Sequence, residues 1–354
     1  MRRHTQTPPR AGFCSDGSAE HNREHPMENV LLVRLSSMGD LIHTLPAVSD
    51  LARHRPDLSL HWLCEAAFAD IARLHPFVAQ VHEMRWRHWR KRLASPQTWR
   101  EIAALKHSLR AQGFSKVAEA QGLIKSALPA RWANAPVYGL DGNSAREPLA
   151  SRLYQARFPV PRHRDAVWRN RCLLAQIFGY QATGAPDFGI RAAITPLPDA
   201  PAPYALALHA SSRDSKLWLP QHWANLFQAL HDTHGWTVLL PWGNANERAR
   251  AEQMASDLPF VRVCGKMGLR EAARLLAGAE AVIGVDTGLL HLANALAVPT
   301  VGIFTDSDPA KTGVQTAPDA VNLGGVGQMP DARSVFTALQ TCLAHHPHRS
   351  KEHR

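Results

Sequence analysis

With 354 residues, 45% hydrophobic and 20% charged, the chain has the make-up of a globular protein with well-filled cores, and its length favours two domains over one. A net charge of +10 and a pI near 9.8 imply an acidic partner, whether nucleic acid, anionic lipid or a phosphorylated substrate. No window approaches the roughly 18 apolar residues of a membrane span, and Cys14, Cys64, Cys172, Cys264 and Cys342 lack paired spacing. Those features argue against a bilayer-crossing chain, a zinc site and a disulfide framework, and favour a reducing cytoplasm.

Residues 1–27 are polar, carry several prolines and glycines and show no apolar face, so they are expected to be a disordered extension. The run Val30 to Leu35 then reads as a buried strand, followed by a glycine turn and a helix over Ser36 to Ala47. This is a first βα turn of a doubly wound sheet, without the GxGxxG of a dinucleotide site. Leu58 to Leu63 (strand), Ala66 to Leu74 (helix), Trp99 to Gln112 (helix) and Lys116 to Glu119 (strand) continue the alternation. A first Rossmann-like α/β domain is expected over 28–186 and a proline-rich linker over 187–203.

The second series begins with the strand Tyr204 to His209, the helix Gln221 to Thr233 and the strand Thr237 to Leu240. The helix Glu247 to Asp257, strand Val261 to Val263 and helix Arg270 to Ala277 follow. Ala281 to Val285 reads as a strand buried on both faces, leading through Asp286, Thr287 and Gly288 into a helix that carries His291. The first turn of such a helix offers unpaired N–H groups and a positive dipole end, and the glycine allows close approach, as a diphosphate requires. Asp and Thr are also ordinary N-cap types, so a plain cap is the competing reading. The strand Thr300 to Phe304 follows. A second Rossmann-like domain is expected over 204–330, a closing helix over 331–344 and a disordered tail over 345–354.

Two facing α/β domains around a cleft form the GT-B architecture. SSMGDLIHTLPA, AQGLIKSA, AREPLAS, SSRDSKLW, PWGNANERA and VDTGLLHL occur here in one order. In these motifs, from about Glu28 to the closing helix, the chain resembles the ADP-heptose:lipopolysaccharide heptosyltransferases of GT-B fold, their type I members above all. The resemblance implies inverting transfer of L-glycero-D-manno-heptose from ADP-heptose to Kdo of Kdo2-lipid A, in inner-core synthesis. It places the enzyme on the cytoplasmic side of the inner membrane in peripheral contact with it, and makes ADP-heptose a co-substrate rather than a cofactor. A monomer that uses no metal and no nucleic acid is expected.

By the same resemblance Asp40 is the catalytic base and Lys216 the cation that stabilises the departing diphosphate. Inverting transfer requires a carboxylate opposite the leaving group, and the leaving charge must be stabilised. A helix N-terminus makes Asp40 a weaker base, a tension relieved if proton transfer is late. Thr287, Gly288, Asp286 and His291 are assigned to the donor, with Glu247 on the ribose. Met267 either lines the adenine pocket or packs in the core.

The run Arg85-Trp86-Arg87-His88-Trp89-Arg90-Lys91-Arg92 places five permanent cations and two indoles in eight residues. It suits the carboxylates and phosphates of an acidic acceptor, and Trp86 and Trp89 are spaced to share a helix face. Arg85, Arg87, Arg90, Lys91 and Arg92 are therefore acceptor candidates, joined by Lys125 and Arg146 through the resemblance. Glu119 stands where the resemblance implies aspartate, and its role stays open. The alternatives are the type II heptosyltransferase or a related GT-B enzyme with another acceptor, and a non-enzymatic nucleic-acid-binding protein.

Overall fold

The computed structural model describes residues 27–346. The disorder expected at both ends thus falls outside the described residues, except for Met27 and for His345 and His346. The first half holds β1 (Glu28–Val33), β2 (Leu58–Glu65), β3 (Val78–Met84), β4 (Lys116–Glu119), β5 (Val137–Leu140) and β6 (Ala156–Phe158). The second holds β7 (Tyr204–Leu208), β8 (Thr237–Leu240), β9 (Val261–Val263), β10 (Ala281–Val285), β11 (Thr300–Phe304) and β12 (Ala320–Gly324).

Each set forms one six-stranded sheet, in the orders β3-β2-β1-β4-β5-β6 and β12-β11-β10-β7-β8-β9. Neighbouring strands run parallel; Leu32 lies opposite Trp62 and Ala118, and Ile283 opposite Ala207 and Val301. Both sheets therefore have the same doubly wound topology, with the chain reversing direction across the sheet between β1 and β4 and again between β7 and β10. In such sheets ligands bind outside the carboxyl ends of the strands flanking the reversal. Those ends lead into Arg34 and Asp40, Glu119, Lys216, and Asp286.

β7 and β10, at the second reversal, and the neighbouring β11 are apolar runs buried at every residue, because helices cover both faces, whereas β4 at the first reversal is bounded by Lys116 and Glu119. The sequence reading has no strand at β3, β5, β6 or β12; β3, β6 and β12 are sheet edges with exposed or half-buried residues, and β5 is a buried strand of only four residues beside an edge. The helix Ala166–Phe178 was passed over too; the buried Arg171 on it donates to Asp50 at 2.6 Å, pinning it to the helix Leu45–His54.

The helix expected over Ser36 to Ala47 is in fact two, Met38–Ile42 and Leu45–His54. Pro46 accounts for the break, because it has no N–H to donate to the Ile42 carbonyl, although His43 and Thr44 keep right-handed helical dihedrals. His43 is left at the corner. The closing helix runs Ala332–His345, capped by Asp331 accepting from the Ser334 N–H at 2.7 Å. The 187–203 segment carries one 3-10 turn, Arg191–Ala193, and buries Phe188 and Ile190 against the core.

One apolar cluster runs from Leu41, Ile42 and Ile71 in the first half to Leu206, Leu276 and Leu290 in the second. The halves thus meet through packed side chains as well as across a cleft. The four described cysteines are free, and among the described residues no helix is long and apolar enough to cross a membrane.

Candidate active site

The helix Met38–Ile42 follows β1, and its first turn carries Asp40. Ser37 donates its backbone N–H and its hydroxyl to Asp40 Oδ2, at 2.7 and 3.1 Å, while Arg34 Nη2 donates to Oδ1 at 2.9 Å. The carboxylate remains 41% exposed, toward the cleft. Burial by itself raises its pKa, but the Arg34 charge and the Ser37 hydrogen bonds outweigh that and hold it below the usual carboxylate range.

Across the cleft, Asp286 ends β10. Lys216, at the end of the 3-10 turn Asp214–Lys216, donates from Nζ to Asp286 Oδ2 at 2.5 Å; Ser307 Oγ donates to the same oxygen at 2.7 Å. His291 Nε2 lies 3.6 Å from Asp286 Oδ1, and Ser211 Oγ donates to the Asp286 carbonyl at 2.8 Å. Burial pushes the Asp286 carboxyl up, yet His291, Lys216 and Ser307 together keep it ionised, well below the usual range. Thr287 caps the helix Gly288–Ala295 in extended backbone without a side-chain hydrogen bond. The first turn is therefore not closed by its own cap residue, which removes the plain-cap reading for that side chain.

Gly288 has a further purpose that the sequence did not reveal. A methyl group there would lie 2.2 Å from Met38 Cε, so the glycine admits a side chain of the opposite half. On the other lip, a methyl group on Gly39 would lie 3.0 Å from the His291 ring. The helices bearing Asp40 and His291 are thus in direct contact.

On the first-half side of that contact opens a cleft of about 510 Å³, lined by Asp40, Arg34, Lys125, Arg146, Arg162, Arg164 and Arg169 among others, with Lys311 of the second half at its rim. Buried Nε atoms of Arg34 and Arg169 have no hydrogen-bond partner. Lys125 Nζ reaches Ser36 Oγ at 3.3 Å, and an adjoining cavity of about 330 Å³ is lined by Ser36, Lys125, Trp86, Arg87 and Arg90.

Of the basic run, Arg87 and Arg90 line that cavity, whereas Arg85, Lys91 and Arg92 line neither space. The two indoles pack against the same apolar cluster, to different depths. Trp89 is 2% exposed and donates to Glu101 at 2.7 Å, so it is core, because the single turn Trp86–Trp89 packs down on the sheet. Trp86 lines the cavity.

Glu119 resolves into a structural clamp. Its fully buried carboxyl, raised by that burial, accepts from the Gln121 and Gly122 N–H groups and from the Tyr154 hydroxyl at 3.1, 2.9 and 2.5 Å. It thereby fixes the loop that leads to Lys125.

Glu247 accepts from the Gly243 N–H and from Asn244 Nδ2, both at 2.7 Å, and lines a cavity of about 190 Å³ with Ser211, Asn246 and Arg250. Met267 packs against the core with part of its side chain left exposed. Sequence reasoning missed Arg34, Arg162, Arg164, Arg169, Lys311, Ser307 and His43. Lone arginines scattered over the chain carry no pattern, although His43, inside the SSMGDLIHTLPA motif, was within reach.

Two doubly wound parallel sheets, meeting near their carboxyl edges around a cationic cleft, form the GT-B arrangement of sugar-nucleotide-dependent glycosyltransferases. The chain belongs to glycosyltransferase family 9 (heptosyltransferase), whose profile matches residues 102–339. It is 42% identical over 286 residues to lipopolysaccharide heptosyltransferase 1 of Pseudomonas aeruginosa, covering 80% of each chain. To the enzyme of the same name from Escherichia coli K12 it is 40% identical over 289 residues, 80% of this chain and 90% of that one. The solved E. coli heptosyltransferase WaaC with ADP-2-deoxy-2-fluoro heptose is similar throughout, with a TM-score of 0.81 and 36% identity over 88% of this chain and 99% of that chain. The chain is a glycosyltransferase, as its motifs imply.

Proposed function

We propose that the chain transfers L-glycero-D-manno-heptose from ADP-heptose to a Kdo hydroxyl of Kdo2-lipid A, with inversion. The observation that carries this reading is the contact between the two lips, where the Asp40 helix meets the ring of His291 in the Asp286–Lys216 cluster. A base on one half thus adjoins, through His291 and Asp286, an anion-stabilising group on the other.

In this account Asp40 accepts the proton of the acceptor hydroxyl as its oxygen bonds to the anomeric carbon and the bond to the diphosphate oxygen breaks. ADP leaves with its charge met by Lys216 and by N–H groups of the first turn after Thr287. Because Arg34 and Ser37 stabilise the Asp40 carboxylate, it is a weak base in the resting enzyme. Proton transfer is therefore late, once the hydroxyl has become acidic by bonding to carbon.

Glu247 and Met267 are assigned to the nucleoside. Lys125, Arg146, Arg87 and Arg90 are assigned to the acidic acceptor, with Arg85, Lys91 and Arg92 drawing the protein to an anionic membrane face, where it acts peripherally. A phosphorylated, carboxylated glycolipid meets the cationic cleft with opposite charge. The reading is tested by following ADP release with each substrate omitted in turn, with and without EDTA. Release is expected only with ADP-heptose and Kdo2-lipid A together, and to survive chelation; release with either alone, or a strict need for added Mg²⁺, counts against it.

A further inference from the structure

His43 and His291 meet between the two halves. His43 Nε2 lies 3.2 Å from His291 Nδ1, with the rings T-shaped and their centroids 4.5 Å apart; each residue is 5% exposed. His43 occupies the corner between the helices Met38–Ile42 and Leu45–His54, and that corner is firmly held. Its N–H donates to the Gly39 carbonyl at 2.8 Å, its carbonyl accepts from Asn170 Nδ2 at 3.1 Å, and Thr44 Oγ1 donates to the Asp40 carbonyl at 2.8 Å.

Protons decide what this pair does. Burial first, then the neighbouring His291, push the His43 pKa down to about 3, so its ring is neutral and carries one N–H. If that proton is on Nε2, His43 donates to His291 Nδ1, and a neutral His291 carries its own proton on Nε2. That nitrogen is the one 3.6 Å from the Asp286 carboxylate. In the reverse arrangement His291 donates from Nδ1, and the lone pair on its Nε2 confronts the carboxylate. With both rings neutral, only the first arrangement is attractive at both ends.

We propose that His43 is a positioning residue: by donating from Nε2 it holds His291 in the Nε2–H tautomer, so that the donor directed at the Asp286 cluster is set only while the two halves are packed together. The proposal rests on the reading of Asp286 and His291 as sugar-nucleotide residues. It gives closure a chemical consequence, because parting the halves frees His291 to change tautomer. A second-layer hydrogen bond that fixes a histidine tautomer is a recurrent device in sites where one ring nitrogen does the work.

The test compares His43→Leu, His43→Asn and His43→Gln with the wild-type enzyme. Readouts are kcat and KM for ADP-heptose, and the His291 tautomer by ¹⁵N NMR of the ring nitrogens. Leu has no donor and Asn is too short to reach, so both are expected to leave His291 a mixture of tautomers and to lower kcat by ~10-fold or more. Gln keeps an N–H at the right reach and is expected to restore most of both. The Asn variant decides the matter if Leu does not fold. Wild-type kcat with an unchanged Nε2–H tautomer in the Asn or Leu variant overturns the proposal, as does a Gln variant no better than Asn. If the wild-type enzyme itself fails to transfer heptose, the reading of the function is at fault, and the tautomer readout alone still judges the role of His43.

Discussion

Lys216 and Asp286 form a 2.5 Å ion pair at the carboxyl edge of the second sheet, with both side chains largely withdrawn from water. An ion pair there keeps a cation in place without burying it alone, and an arriving diphosphate gives Lys216 a second anion to hold. Lys216→Ala is expected to lower kcat by ~10²-fold or more, the scale of losing one group that stabilises transition-state charge. ADP affinity, measured by calorimetry, should fall much less. Equal losses in both would mean that Lys216 binds the ground state and not the developing charge.

Asp40 should show its role in the pH profile. The base works deprotonated, so activity rises with pH through its pKa and is level above it. Since burial is outweighed by Arg34 and Ser37, that acid limb should lie below the usual carboxylate range. Arg34→Met removes the largest opposing charge and should move the limb to higher pH. Asp40→Asn should cut kcat by ~10²-fold or more while ADP still binds. An unmoved limb in Arg34→Met would show that another group sets the profile.

The basic run divides by position. Arg87→Gln and Arg90→Gln should raise KM for the acceptor and leave that for ADP-heptose alone, because both residues line the cavity beside Ser36 and Lys125. Arg85→Gln and Arg92→Gln should do little on a short-chain acceptor in solution. Their defect is expected on anionic vesicles, and should fade with salt, which screens exposed charge over ~10 Å at 0.1 M. A uniform effect across all four variants in solution would erase the distinction.

Much of this was readable from the chain and some was not. β1, β7 and β10, beside the two reversals, carry apolar runs, and Asp40, Lys216 and Asp286 follow them in motifs, so sequence order led directly to the sheet edges. Edge strands such as β6 and β12 lack that pattern because only part of each is buried. Spacing puts Trp86 and Trp89 on one face but does not say that Trp89 is the buried one, since burial is a tertiary fact. Gly288 was legible as a close approach, but the approaching group is Met38, more than two hundred positions away. The same distance hid the pairing of His43 with His291.

Acid should destabilise the fold before its carboxylates are titrated. Burial, the largest cause in each case, lowers His43 to about 3 and His75, His82 and His209 to about 4. Unfolded histidine titrates near ~6.5, so below that the unfolded state takes up more protons than the folded one. The stability these residues contribute is full above ~6.5 and drains away as pH falls toward their folded values. Calorimetry should show Tm dropping steadily from about pH 7 to about pH 5. A flat Tm across that range would mean that these rings are solvated or partnered when charged.

The central claim is that one heptose is moved onto the acidic glycolipid by groups of both halves acting together. Its most direct measurement is the mass of Kdo2-lipid A after incubation with ADP-heptose and each of three proteins: wild type, Asp40→Asn and Lys216→Ala. The account predicts an acceptor heavier by a single heptose with the wild-type enzyme and a trace of that product with either variant. An acceptor of unchanged mass with the wild type, or full conversion by Asp40→Asn, would contradict it.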